Sequence, residues 1–214
     1  MKTLVAIPCM DMVHTDFLRS CLSMERVGEV CFAFAQGSLV YDGRNALVNM
    51  AIEEVYDRVL WLDSDMRFDQ FLLRRLSEHL DLGKEMVCGL YFTRKAPVRP
   101  VIYSGLYLRQ TDGPAQPVAE TFYDYPRDEV FKVAGCGFGS VLMTTELLRH
   151  VRDAYGLPFW PISGFGEDFS FCMRVTELGH EIWCDSSIKV GHVGLAVYDE
   201  ELWDRLRADQ KEDT

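Results

Sequence analysis

The chain has 214 residues, of which 48% are hydrophobic, 12% aromatic and 26% charged, a composition that excludes a disordered protein and suffices for one domain with a sizeable core. Its formal net charge is −11 with no long Lys/Arg cluster, which disfavours sequence-independent nucleic-acid binding and docking on an anionic membrane, since both rely on clustered cations. Seven cysteines, an odd number without a CxxC pair, read as small buried hydrophobes of a reducing compartment rather than as a zinc site.

The opening "MKTLVAIPCMD" turns polar too soon for a signal peptide, and no apolar run approaches the roughly 20 residues that span a bilayer. A soluble, cytoplasmic protein without membrane insertion is expected. "TLVAIP" (3–8) reads as a buried strand, followed by a helix over 15–26 with Phe17, Leu18, Cys21, Leu22 and Val27 near helical spacing. "VCFAFA" (30–35) is a second strand and 43–56 a second helix. "RVLWLD" (58–63) is a third strand, 68–80 a third helix and "EMVCGLYF" (85–92) a fourth strand. Near-continuous apolar strands alternating with helices point to an α/β fold, a mostly parallel sheet covered on both faces. Ligands of such sheets bind beyond the carboxyl ends of the strands.

Residues 101–135 are rich in Tyr, Gly and Pro. They read as an antiparallel hairpin, a polar loop around 110–120 and a further strand near 130–134. A helix over 144–156 has Thr144 or Thr145 as its cap, Glu146 in its first turn and Gly156 past its end. Another helix covers 166–179, a short strand 180–186, and a terminal helix 199–213 capped by Asp199. With no repeat, linker or low-complexity tract, one domain over 1–214 is expected.

The chemistry-bearing residues gather in three places. Asp63 and Asp65, in "VLWLDSDMRF" (59–68), sit at the carboxyl end of the third strand. Their hard oxygens suit Mg²⁺ or Mn²⁺; a helix cap with a solvated turn is the other reading. A phosphatase of the haloacid dehalogenase type also has DxD after a strand, but usually after the first. Glu167 and Asp168 follow the glycines of "ISGFG" (162–166) and open a helix, where either simple capping or proton acceptance from a hydroxyl fits. His192, between glycines in "VGHVG" (190–194), is either structural or a metal ligand. "YFTRKAPVRP" (91–100) holds Arg94, Lys95 and Arg99 as acceptor or phosphate contacts or as a solvated turn. Tyr91, Tyr103, Tyr107, Phe122, Tyr123 and Tyr125 form either a platform for a sugar or core.

"LWLDSDM", "VAGCGFGSVLM", "GFGEDFSFCMRVTELGHEIWCD" and "VGHVG", in this order, resemble a GT-A-fold glycosyltransferase of the family-two-like group found in bacteria and their phages. The resemblance implies a GT-A (Rossmann-like) sheet with helices on both faces and a small antiparallel element. It implies a nucleotide-binding half (1–92), a donor-sugar and acceptor half (93–197) and a C-terminal helix (198–214). By the same resemblance Asp65 and His192 ligate Mn²⁺ or Mg²⁺, and Asp63 contacts the ribose or a metal-bound water. Asp168 is the base of an inverting transfer, with Glu167 on acceptor or sugar. Pro8, Cys9 and Asp11 lie at the nucleobase, and Arg44 and Asn45 lie by base or phosphates. Gly135 and Gly137 line the donor sugar, where backbone can approach closely. The donor is a UDP- or GDP-sugar. The acceptor is open between a sugar, a protein side chain, a lipid-linked intermediate and a modified nucleobase, and the assembly is open too, a homo-oligomer included. A divalent cation reconciles an anionic donor with an acidic site. Two alternatives stand beside this reading: a sugar-nucleotide pyrophosphorylase-like enzyme, whose glycine-rich first loop "VAIPCMDM" lacks, and a non-catalytic nucleotide-sugar-binding relative.

Overall fold

The computed structural model describes residues 1–37, 39–162, 164–194 and 197–212. Ser163, in the segment read as flexible before Glu167, and residue 213, the expected end of the last helix, lie outside them.

In chain order the elements are β1 (Lys2–Cys9), α1 (Thr15–Ser23), β2 (Glu29–Gln36), α2 (Val40–Glu53), β3 (Arg58–Leu62), β4 (Met66–Arg67), α3 (Leu72–Asp81) and β5 (Met86–Leu90). Then come β6 (Ile102–Arg109), β7 (Gln116–Thr121), β8 (Val130–Val133), β9 (Gly135–Cys136), β10 (Ser140–Thr144), α4 (Thr145–Tyr155), α5 (Glu167–Glu177), β11 (Ile182–Lys189), β12 (Gly191–Val193), β13 (Val197–Tyr198) and α6 (Glu200–Glu212). The central sheet runs β2-β1-β3-β10-β5-β11-β8. β1, β2, β3, β5 and β11 point one way, and β10 and β8 are reversed. The expected mostly parallel sheet is present, with two small antiparallel sheets, β13-β12-β4 and β7-β6-β9.

Strand alternation explains why both faces are covered. Leu4 and Ala6, Val59 and Trp61, and Val141 and Met143 face a core completed by Leu47 and Val48 of α2 and Leu147 and Leu148 of α4. Their neighbours Val5, Ile7, Leu60, Leu62 and Leu142 face the other way, onto Phe17 of α1 and Leu72, Leu73 and Leu76 of α3. Strands buried on both faces have no polar side, which is why they read as continuous apolar runs.

Several boundaries differ from expectation for local reasons. α2 starts at Val40, its first turn closed by Asp42 and Gly43 N–H on the Leu39 carbonyl, and a Cβ on Gly43 would stand 3.2 Å from that of Ala35 in β2. α3 starts at Leu72; the Phe68 N–H is instead given to Ser20 Oγ at 3.0 Å. The expected 110–120 loop shrinks because β7 begins at Gln116. The caps behave as read: Thr144 Oγ1 accepts from Leu147 N–H at 3.2 Å and Asp199 Oδ1 from Leu202 N–H at 3.0 Å. β10 was not expected as a strand, and it enters between β3 and β5 with reversed direction.

The seven cysteines are free thiols; Cys88, Cys136, Cys172 and Cys184 are buried, whereas Cys9, Cys21 and Cys31 are half-buried. Among the described residues no helix is long and apolar enough to cross a membrane.

Candidate active site

The carboxyl ends of β1 and β3 open into a cleft of 740 Å³, lined by Pro8, Cys9, Arg44, Asp63, Asp65, Glu167 and His192 among others. The loop after β1 is tied to the loop after β3 by a hydrogen bond from His14 N–H to the Ser64 carbonyl at 2.9 Å. His14 also starts α1, its Nδ1 accepting from Asp16 N–H at 3.1 Å.

The meeting of Asp65 and His192 is made by backbone. β4 follows the DxD turn and pairs antiparallel with β12, Met66 opposite His192. Val193 N–H donates to the Asp65 carbonyl at 2.8 Å. The side chains are thereby brought together, Asp65 Oδ2 lying 3.3 Å from His192 Nε2. The Phe92 carbonyl lies 2.9 Å from His192 Nδ1. A carbonyl only accepts, so Nδ1 carries the proton and Nε2 is turned to Asp65. Burial lowers the imidazole pKa, but hydrogen bonding to Asp65 and its charge outweigh this and raise it overall. Asp65 moves the opposite way, held down by His192 and Arg94 against its burial.

This donor pair fits a divalent cation: one carboxylate and one imidazole nitrogen, with the imidazole oriented by a carbonyl behind it. Among the described residues no group of three or more His, Cys, Asp or Glu side chains converges as a complete ligand set. Asp63 is turned elsewhere, and Asp65 is paired with the Arg94 guanidinium, a cation that the sequence reading did not connect with the DxD.

Arg44 lines the cleft and is buried. It is 2% exposed, and it donates to Asp63 Oδ1 at 2.9 Å and to Glu167 Oε1 at 3.3 Å. Its guanidinium carbon stands 5.2, 5.6 and 5.8 Å from the rings of Phe138, Trp61 and Phe159. A cation so enclosed ties Asp63, at the end of β3, to Glu167 of α5. Asn45 is turned away from the cleft: its Oδ1 accepts from Phe159 N–H at 3.0 Å, so its role is to pin the 157–160 turn. Asp11 is exposed and outside the cleft lining, its Oδ1 3.5 Å from Gln36 Nε2.

Gly135 and Gly137 are buried and are absent from the lining of this cleft. A Cβ on Gly137 would collide with Tyr91 Oη, and one on Gly135 would lie 3.0 Å from Leu106. At Gly137 the close neighbour is Tyr91, and at Gly135 it is Leu106. Tyr91, read from the sequence as either sugar platform or core, is buried; its hydroxyl accepts from Gly139 N–H at 3.3 Å and its ring packs edge-on against His192.

Glu167 and Asp168 open α5, whose cap Gly166 offers no side-chain acceptor. Glu167 lines the cleft, bound to Arg44. Asp168 is half-buried and is turned onto its own helix end, its Oδ1 accepting from Phe169 N–H at 2.8 Å. Burial first, then the neighbouring charge of Glu167, pushes its carboxyl up to about 6. Burial and the charges of Asp63 and Asp168 raise Tyr91, and burial and Asp168 push Tyr103 up to about 12, so the Asp168 carboxylate is felt at both phenols. Of the other aromatics, Tyr125 is buried with its hydroxyl on Glu200, Phe122 packs on Phe131, Tyr107 bonds Glu120, and Tyr123 stacks on Trp203.

No family model and no curated protein matches the sequence. Among solved structures, A197 from STIV is similar at a TM-score of 0.65 with 20% identity, over 91% of this chain and 86% of that one. GalNAc-T7 with UDP, GalNAc and Mn²⁺ is similar at a TM-score of 0.61 with 12% identity, over 91% of this chain; the chain spans 44% of that protein. At these identities the likeness is one of fold, the mixed α/β sheet of the GT-A type.

Proposed function

We propose that the protein is a metal-dependent glycosyltransferase that moves a sugar from a nucleotide diphosphate sugar to an acceptor hydroxyl. The observation that carries this reading is the Asp65–His192 pair, 3.3 Å apart, at the mouth of a cleft beyond the carboxyl ends of β1 and β3. The fold likeness to a protein whose structure holds UDP, GalNAc and Mn²⁺ supports it. Nucleotide binding falls mainly to residues 1–92, and donor-sugar and acceptor binding to residues 93–197.

Asp65 and His192 would hold Mn²⁺ or Mg²⁺, with Arg94 leaving Asp65 as the ion enters. Bound there, the ion supplies Lewis-acid stabilisation of the charge on the leaving diphosphate. Pro8 and Cys9, at the end of β1, take the nucleobase side of the cleft. Asp63, one oxygen held by Arg44 and 32% of its side chain exposed, is suited to ribose hydroxyls. Arg44 keeps Asp63 and Glu167 in place, so its contribution to the donor is made through them.

The acceptor hydroxyl oxygen bonds to the anomeric carbon as the bond from that carbon to the diphosphate breaks. The nucleoside diphosphate leaves with the electron pair, and the hydroxyl proton passes to the Asp168 carboxylate. A single base on the acceptor side corresponds to inversion. Asp168 is required to turn from Phe169 N–H toward the hydroxyl, a tightening that many catalytic carboxylates undergo only with substrate bound.

The test is a thermal-shift screen of UDP- and GDP-sugars with and without Mn²⁺, followed by transfer assays. Ligand linkage raises the melting temperature for the true donor only when the ion is present. A donor that stabilises equally in EDTA, or no stabilisation by any nucleotide sugar, would sink the proposal.

A further inference from the structure

A second cleft, of 630 Å³, shares Arg94 and His192 with the first. The two are chemically opposite. The first contains Asp63, Asp65 and Glu167; the second contains Arg94, Lys95 and Arg99 and no carboxylate. On a chain of net charge −11 this is a local inversion of sign. Among the described residues neither Lys95 nor Arg99 forms an ion pair.

The cations are held by a closed turn. Thr93 N–H donates to the Arg99 carbonyl at 2.9 Å, and Arg99 N–H donates to Thr93 Oγ1 at 3.1 Å. Thr93 Oγ1 also lies 3.3 Å from the Lys95 and Pro97 carbonyls. The backbone carrying Lys95 and Arg99 is thus fixed before any ligand arrives, which lowers the ordering cost of binding.

The rest of the wall is aromatic and small. Tyr103 and Phe169 meet edge-to-face at 4.6 Å. Ala119 and Thr121 of β7 line the cleft, while Glu120 between them bonds Tyr107 and is absent from the lining. Phe169 directly follows Asp168. The volume suits a small ligand. Two cations without a counter-charge, Lys95 and Arg99, suit a dianion, and ring edges suit the apolar face of a sugar or aromatic ring.

We propose that this cleft takes an acceptor that carries a phosphate, with the phosphate on Lys95 and Arg99 and the ring against Tyr103 and Phe169; as an acceptor site it rests on the transferase reading. The shared chemistry is a phosphate ester, free or carried on a lipid. A nucleic-acid strand is a poorer fit, since each neutralised phosphate needs its own cation and the surrounding chain is acidic.

The test is calorimetric titration of the full chain in EDTA with phenyl phosphate and, separately, with the neutral phenyl β-glucoside. Phenyl phosphate binds at least about tenfold more tightly, and the double variant Lys95→Ala/Arg99→Ala, altered only at exposed side chains, loses at least about tenfold for phenyl phosphate alone. Equal affinity for the neutral probe, or an unaffected double variant, overturns the proposal. So does an oligothymidylate that binds more tightly than phenyl phosphate, which would make the cleft a strand site. Phosphatidylcholine vesicles with and without phosphatidic acid separate the sources: capture that depends on phosphatidic acid and on Lys95 and Arg99 supports the lipid-borne ester, and phenyl phosphate binding without capture supports the free one. UDP with Mn²⁺ is titrated in parallel. If UDP fails while phenyl phosphate binds, the donor reading falls and the anion cleft stands; if UDP binds and phenyl phosphate does not, the anion cleft falls alone.

Discussion

Asp65 Oδ2 lies 3.3 Å from His192 Nε2, and the imidazole is fixed from behind by the Phe92 carbonyl, 2.9 Å from Nδ1. In the neutral ring the arrangement presents a nitrogen lone pair and a carboxylate to one point in space, while the Arg94 guanidinium sits on the same carboxylate. The side chain of Arg94 is half-exposed and can be displaced by a stronger cation.

Removal of either ligand should therefore abolish the metal dependence of nucleotide binding. Asp65→Ala and His192→Ala are each expected to weaken UDP binding in Mn²⁺ by more than about tenfold, since even outer partners of a metal site are worth roughly 10–100-fold. Both variants should match wild type in EDTA. Arg94→Ala is expected to tighten Mn²⁺ binding without nucleotide, because Asp65 no longer needs to exchange partners. Calorimetry with Mn²⁺ alone checks this, and an unchanged or weaker affinity would show that Arg94 does not compete for the site.

Arg44 makes a prediction about stability rather than about phosphate. Arg44→Met leaves Asp63 and Glu167 side by side without a counter-charge. The expected cost is about 3 kcal/mol, the low end for removing one partner of a buried pair, because Asp63 keeps 32% of its side chain in solvent. Urea unfolding measures it. A variant as stable as wild type but defective in UDP binding would return Arg44 to the donor.

The difference between these roles was not legible in the sequence. Apolar runs such as "VLWL" announce buried strands, and the position of Asp63 and Asp65 beyond one of them pointed to the cleft they line. The burial of Arg44 depends on Phe138 and Phe159, far away in sequence, and no local pattern carries that. The Asp65–His192 meeting depends on β4 and β12, two and three residues long, too short for any periodicity. β10 shows why direction is hidden: alternation tells which residues face which side, and it is the same for a strand running either way. The glycines of 135–139 were read as room for a sugar; that Tyr91 packs against Gly137 and Gly139 could not be read without the fold.

Gly137→Ala separates those two meanings of a glycine. The new methyl would collide with Tyr91 Oη and stand 2.7 Å from Val101 Cγ1, both in a packed region. An overpacked core typically loses about 1–3 kcal/mol. The melting temperature should fall, and because Tyr91 packs on His192 the Mn²⁺ affinity should fall with it. A variant of unchanged stability that loses only donor affinity would restore the sugar-lining role of Gly137.

Asp168 yields the sharpest test because its stability and activity effects run in opposite directions. Its carboxyl is pushed up to about 6, chiefly by burial. A raised carboxyl favours the neutral form in the fold. That contribution is fully present below the ordinary carboxylate range and is lost as pH rises through about 6. Asp168→Asn should accordingly raise the melting temperature near neutrality and above, and change it little in acid, where wild type is itself neutral. Catalysis needs the ionised form, so wild-type kcat/KM should fall about tenfold per unit as pH drops below 6. The same substitution should cut transfer by roughly 10²–10⁴-fold while sparing UDP binding. Melting curves and transfer rates across pH report both effects on one variant. If the acid limb of the rate profile survives in Asp168→Asn, it belongs to another group, and Asp168 does not take the proton.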